Sequence, residues 1–356
     1  MRAVIEELAR EHDVTLAVGR REDGGPPCEV AVCPGLDARG DEAVRGLEDL
    51  TASGGFDVIH VQNVMNPAVL RWAAGGGPAV VTVQDHRVFC PGRGKWHRNG
   101  TVCREAFSET VCASCFDDRA YFENILTLTE ARLQALRQLS VIVLSEYMKS
   151  ELTQAGLDPR TVHVIPPFVT GLDPHARPDG APCIAFVGRL AEAKGVGDAI
   201  AAWRHSGLDL PLVFAGTGPL RADLEREGFE VLGWLDRGQL SALYRRARAV
   251  LMPSRWQEPF GIVGVEAQAM GSPVVAWESG GVAEWHRGER AAWGDVEGLT
   301  RALRAAVNEG PAAVPGPDRQ ASMDRLLRLY LETRVTSRPA RADARHASGS
   351  ANPLPQ

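Results

Sequence analysis

Several things are missing from these 356 residues, and each absence removes a class of protein. No apolar run approaches the roughly 20 residues that a membrane-spanning helix needs. The opening stretch carries Arg2, Glu6 and Glu7 and is too charged for a secretory signal peptide. Positive charge is not in excess either. With 39 lysines and arginines against 45 aspartates and glutamates, the net charge is −6, and a nucleic-acid partner is not expected. No internal repeat stands out, which sets solenoids and propellers aside. The chain reads as cytoplasmic, with a peripheral contact at the inner face of a membrane left open to it.

What is present is ordinary globular material: 44% hydrophobic and 24% charged residues, over a length that exceeds what one core usually organises. Two domains are expected. Short β-branched runs alternate with amphipathic stretches, the pattern of βαβ units around parallel sheets, so the fold class is α/β. Strands are expected in the second half at 184–187, 212–215, 231–232, 249–252 and 274–276, and in the first half at 56–61, 79–83 and from 141 onward. Leu240, Leu243 and Tyr244 give the apolar stripe of a sheet-packing helix. A proline- and glycine-dense stretch at 166–182 reads as a linker, which puts the boundary near 175 and assigns 1–175 and 176–317 to the two domains. From 333 to 356 the composition predicts a disordered tail, whose Arg334, Arg338, Arg341 and Arg345 would add weak attraction to an anionic membrane. Val4, Ile5 and Leu8 place a helix where an α/β domain normally opens on a strand. The expectation is a first domain lacking its N-terminal strand, either because the true start lies upstream of Met1 or because the domain is degenerate.

Two glutamates pose the chemical question. Glu258 falls in the loop after one expected strand and Glu266 in the opening turns of the helix that follows. Carboxylates outside the carboxyl ends of parallel strands can accept hydrogen bonds from sugar hydroxyls. Arg189 and Lys194 sit in another strand-to-helix turn, where two cations beside a helix N-terminus suit a diphosphate rather than the fold.

Gly188-Arg189, Lys194-Gly195, the glycines at 216 and 218, Gly233 after a strand, and Glu258-Pro-Phe-Gly261 with Glu266 occur in this order. Together they resemble the retaining glycosyltransferases of family 4, over about residues 56–332. That resemblance implies a GT-B fold, two Rossmann-like domains facing across a cleft, with a nucleotide-sugar on the second and a glycan or lipid-linked acceptor on the first. It implies that Arg189 and Lys194 hold the diphosphate, Glu266 the ribose and Glu258 the transferred sugar. The turn Gly233, Trp234 and Leu235 would meet the base, and backbone amides near Phe260 and Gly261 would complete the site without a catalytic metal. It also implies that a final helix, 318–332, crosses back onto the first domain through Met323, Leu326, Leu327 and Tyr330.

The first half departs from the family pattern. Gln62 follows His60 where a second histidine is frequent, and Gln84 precedes Asp85 where histidine is common. Asp85 or His86 remains as a base for the acceptor hydroxyl, or the two only orient their loop. The same departures leave room for a non-catalytic nucleotide-sugar-binding subunit, and the architecture for a sugar-nucleotide epimerase. Cys90, Cys103, Cys112 and Cys115 then crowd one loop, ending in Cys-x2-Cys. Four thiolates suit a structural zinc, with buried free thiols or disulfides as the alternatives. Cys28, Cys33 and Cys183 read as packing residues.

Overall fold

The structure is a computed structural model, and it describes residues 2–21, 25–36 and 40–336. In the first half β1 (Thr15–Val18) and β2 (Glu29–Val32) pair in parallel as a separate ribbon. β3 (Ile59–Gln62), β4 (Ala79–Val83), β5 (Ser140–Val143) and β6 (Val162–Val164) form a parallel sheet in that order. In the second half β7 (Cys183–Val187), β8 (Leu212–Ala215), β9 (Glu230–Gly233), β10 (Ala247–Met252), β11 (Val274–Trp277) and β12 (Arg290–Ala291) form one sheet ordered β12-β11-β10-β7-β8-β9. The chain is α/β, with parallel sheets in separate halves.

The period-2 alternation of the strands explains the layers. On the second sheet Ile184, Phe186, Phe214 and Leu251 pack on one face with helices Val196–Ser206 and Val296–Glu309. Ala185, Val213, Val250 and Val274 pack on the other with helices Arg237–Arg246 and Ile262–Ala269. Both faces are covered, so β8, β10 and β11 read as nearly unbroken apolar runs. The buried Cys183 lies in this core and Cys33 in a smaller one.

In the first sheet Val81, Val83, Val141 and Val143 point to one core, while Val80 and Ile142 point to another that is closed by Met323, Leu326 and Leu329 of the last helix. Ala3, Val4 and Leu8 of the opening helix Arg2–Leu8 pack beside them. The last helix therefore does cover the first half. Its buried stripe differs by one position from expectation, with Leu329 buried and Leu327 half-buried. The helix spans Arg319–Thr336, four residues into the stretch expected to be a disordered tail. The remainder of that tail, 337–356, lies outside the described residues.

β1, β2 and β6, and the two-residue β12, were not expected from the sequence. Each has only two to four residues, and β1 and β2 are half-solvated, so none shows a continuous apolar run.

Candidate active site

The second sheet reverses its strand order at β7, which lies between β10 and β8. The crevice outside the carboxyl ends of β7 and β10 is thus a topological switch point, where ligands of open parallel sheets bind. The loop after β7 carries Arg189 and Lys194, and the loop after β10 carries Ser254 to Glu258. Glycine brings the two together. Gly195 has φ 72°, and a Cβ there would stand 1.8 Å from the carbonyl oxygen of Pro253. Gly216 and Gly218 play the same part between β7 and β8, where a Cβ would fall 1.9 Å from the Gly188 oxygen and 2.3 Å from that of Leu190.

Across that contact Lys194 Nζ lies 2.7 Å from Glu258 Oε1 and 4.3 Å from the centroid of the Trp256 ring. The Arg255 and Trp256 N–H groups donate to the Ala193 carbonyl, and the Ser254 hydroxyl donates to Glu258. Burial pushes the Glu258 carboxyl up, but Lys194 with the hydrogen bonds around it outweighs burial and holds the group below the usual carboxylate range. Lys194 thus pairs with Glu258, beside the phosphate role that the resemblance implies for it. Arg189 is exposed and has no side-chain partner among the described residues.

Glu266, in the second turn of helix Ile262–Ala269, is 9% exposed. Its Oε1 lies 2.6 Å from Arg237 Nη1, and Tyr244 donates to Oε2 at 3.3 Å. Burial, then Glu266, pushes the Tyr244 phenol well up, so it stays a donor. Arg237 also reaches the Thr170 carbonyl, which joins the carboxylate to the segment between the halves. It follows the turn of Gly233, Trp234 and Leu235, where Gly233 has φ 72° and Trp234 is 84% exposed. Trp234 is therefore not core. Phe260 is buried, Gly261 caps helix Ile262–Ala269 with φ 86°, and Trp285 Nε1 donates to the Phe260 carbonyl.

Facing the Glu258 loop from the first half, His86 is 3% exposed and touches the Trp256 ring, centroids 5.6 Å apart. Its Nε2 is hydrogen-bonded to Tyr147 Oη at 3.1 Å, while Nδ1 is buried with no partner among the described residues. Burial pushes the imidazole down to about 4, against the pull of Asp85 and Glu258, so it is neutral at neutral pH. Asp85 is not free: it caps the turn His86–Val88 and pairs with Arg87 at 2.6 Å. Of the two residues expected to offer a base, only His86 faces the donor half. His60 is satisfied at a strand end, by Tyr330 Oη on Nδ1 and Thr82 Oγ1 on Nε2, each at 2.6 Å.

The cysteine loop lies between the halves. Gln257 N–H donates to the Gly94 carbonyl at 2.9 Å, and Arg93 pairs with Glu192 at 3.2 Å. Cys90, Cys103, Cys112 and Cys115 are all free thiols, and among the described residues no group of three or more His, Cys, Asp or Glu side chains is placed to hold a metal ion. Cys90 Sγ accepts the Lys95 N–H, and Cys115 stands 3.9 Å from His97. Within the loop, buried Lys95 pairs with Glu151 at 2.8 Å and donates to the Glu105 carbonyl, and Trp96 bridges to Val102.

Sequence reasoning missed Arg237, Trp256 and Lys95. Each is a single residue whose partner is remote in the chain. Only their places beside Gly233, Glu258 and Cys90 carried a signal.

Comparison with known proteins places both halves. Residues 1–167 match the model described as a glycosyl transferase 4-like domain, and 172–310 the one described as glycosyl transferases group 1. A glycogen synthase of Mycobacterium tuberculosis is 35% identical over 199 residues, covering 49% of this chain and 47% of that protein. A 2-deoxystreptamine glucosyltransferase of Streptomyces kanamyceticus is 32% identical over 38% of each chain. The chain spans about half the length, or less, of these relatives. Among solved structures, sucrose-phosphate synthase from Thermosynechococcus elongatus superposes with TM-score 0.65 at 19% identity, covering 94% of this chain and 93% of that one. Anabaena HepE in complex with UDP-glucose gives 0.62 at 16%, covering 94% of each. With its two parallel sheets in separate halves, its ordered glycine, arginine and glutamate motifs and both family domains in sequence, the chain belongs to the group 1, family 4 glycosyltransferases of GT-B fold.

Proposed function

We propose that this protein transfers a sugar from a nucleotide-sugar donor to a hydroxyl group of a glycan or lipid-linked acceptor, with retention of configuration. The observation that carries the reading is Glu258. It is a carboxylate 4% exposed, kept charged by Lys194 at the switch point and faced across the halves by the buried His86. A fold has little use for such a costly group, whereas a sugar's hydroxyls match it.

The donor lies along the crevice with its base at Trp234 and its ribose at Glu266, which Arg237 and Tyr244 hold in place. Its diphosphate meets Arg189 first, because that cation has no competing partner. As the sugar–phosphate bond breaks, its electron pair goes to the phosphate oxygen, and Arg189 with Lys194 stabilises the charge that develops. The acceptor hydroxyl forms the new bond on the same face and loses its proton to the departing phosphate. His86, neutral and with Nδ1 unpartnered, is placed to bind a sugar hydroxyl.

UDP-sugars are the first donors to try, because HepE was crystallised with UDP-glucose. Incubation with a donor panel and mass spectrometry of released sugar and nucleotide tests the reading. Slow donor hydrolysis is expected without acceptor. Donor binding with no turnover under any acceptor would establish a binding subunit instead.

A further inference from the structure

Away from the crevice, a groove of about 630 Å³ runs between the edge strand β6, helix Glu146–Gln154 and the last helix, Arg319–Thr336. Lys149, Arg325 and Arg328 line it, each from a regular element. In a protein whose arginines are mostly engaged in ion pairs, none of these three cations has a hydrogen-bond or ion-pair partner among the described residues. Arg160, paired with Asp158, and His163 stand in the same wall, with Glu146 and Glu332 as the opposing carboxylates. The groove is a local excess of positive charge on a chain of net charge −6.

The outer side of the same helix is apolar where it should be polar. Leu331 is 62% and Val335 72% exposed, and among the described residues Trp234 is the one other large hydrophobic residue that open. They lie one turn apart, and Arg328 precedes Leu331 by three positions, so all three share the side opposite the buried Met323, Leu326 and Leu329. Exposed aliphatic residues flanked by unpaired cations are what an interfacial surface needs, since apolar side chains enter the acyl boundary while cations meet phosphates.

We propose that the last helix and its basic groove form a docking surface for an anionic lipid bilayer, with Lys149, Arg325 and Arg328 on lipid phosphates and Leu331 and Val335 inserted. The occupant is fixed by this combination, because a soluble phosphate would use the cations but has no use for the two aliphatic residues. At one end the groove reaches Glu146, whose N–H donates to Glu284 of the other half at 3.0 Å. The bilayer would therefore lie beside the opening between the halves.

The test is co-sedimentation of the full chain with phosphatidylcholine vesicles, with or without about a third phosphatidylglycerol. Binding to the anionic vesicles alone is expected, weakening with salt. Lys149→Ala/Arg325→Ala/Arg328→Ala should lower the partition coefficient about a hundredfold, and Leu331→Ser/Val335→Ser about tenfold, with thermal unfolding unchanged because none of the five is buried. Equal binding to neutral vesicles overturns the proposal. So does undiminished binding by the triple variant, which would assign the attraction to other cations of the chain. Millimolar pyrophosphate that binds the wild type but not the triple variant, without any vesicle binding, identifies a soluble-anion site and overturns the bilayer as occupant.

Discussion

At the scale of single residues, the two basic positions that look alike in the sequence do different work. Arg189 is exposed and unpaired among the described residues, whereas Lys194 neutralises a carboxylate that is itself 5% exposed at the side chain. Removing Arg189 should cost donor affinity alone, about 1–3 kcal/mol, because only ligand phosphate is deprived of a partner. Removing Lys194 leaves Glu258 charged and buried, a loss of about 3–5 kcal/mol in stability. Titration of donor against Arg189→Ala and Lys194→Ala, with thermal melts of both, separates the cases. Equal melting temperatures would contradict the structural role of Lys194. Residue types and spacing made Glu258, Glu266, Arg189 and Lys194 legible as a set. Their mutual pairing was not, because a contact between residues 64 positions apart leaves no local pattern. The same holds for Arg237, an ordinary arginine at a helix start until the fold brings it to 2.6 Å from Glu266.

At the scale of elements, the second sheet was readable nearly strand by strand, since strands covered on both faces are written as apolar runs bounded by glycine or proline. The first half was less so: β1 and β2 are half-solvated, and the long loop from 84 to 108 carries its order in Lys95 and Trp96 rather than in periodicity. The turns that bring the loops together can be tested directly. Gly195 combines φ 72° with a Cβ position 1.8 Å from the Pro253 oxygen, so Gly195→Ala cannot be absorbed by a side-chain shift. The turn carrying Lys194 should move off the 253–258 loop, breaking the Ala193 contacts with Arg255 and Trp256. The expected outcome is a loss of stability of at least about 1–3 kcal/mol together with donor binding. Gly197→Ala, with open space around its Cβ, is the control and should melt like the parent. If the two variants behave alike, the close approach does not position the site.

At the scale of the whole molecule, the halves meet through small contacts that a residue pattern does not announce. The Ser145 hydroxyl donates to the Pro259 carbonyl, Glu284 accepts the N–H groups of Glu146 and Tyr147, and a Cβ on Gly281 would stand 2.9 Å from that of Ser145. Two histidines, His60 half-buried and His86 buried, lie at the junctions. His60 ties the first sheet to Tyr330 of the last helix, and His86 lies between Tyr147 and the Trp256 ring of the other half.

Burial pushes both imidazoles down to about 4 from an ordinary 6.5. Between these values the unfolded chain binds protons that the folded one refuses, so stability rises with pH across that window. It is fully present above 6.5 and lost as pH falls toward 4, by about 3 kcal/mol at each histidine. His163 and His286 are lowered too, first by burial, and add in the same direction. Acid should therefore loosen the joins between elements. Denaturant unfolding between pH 7 and pH 4 should show a slope equivalent to about two protons or more. His60→Gln and His86→Gln should each reduce that slope by about one proton, whatever they do to stability at neutral pH. A slope unchanged in both variants would mean that these histidines titrate in the folded protein as they do in the unfolded chain, and that acid acts on it elsewhere.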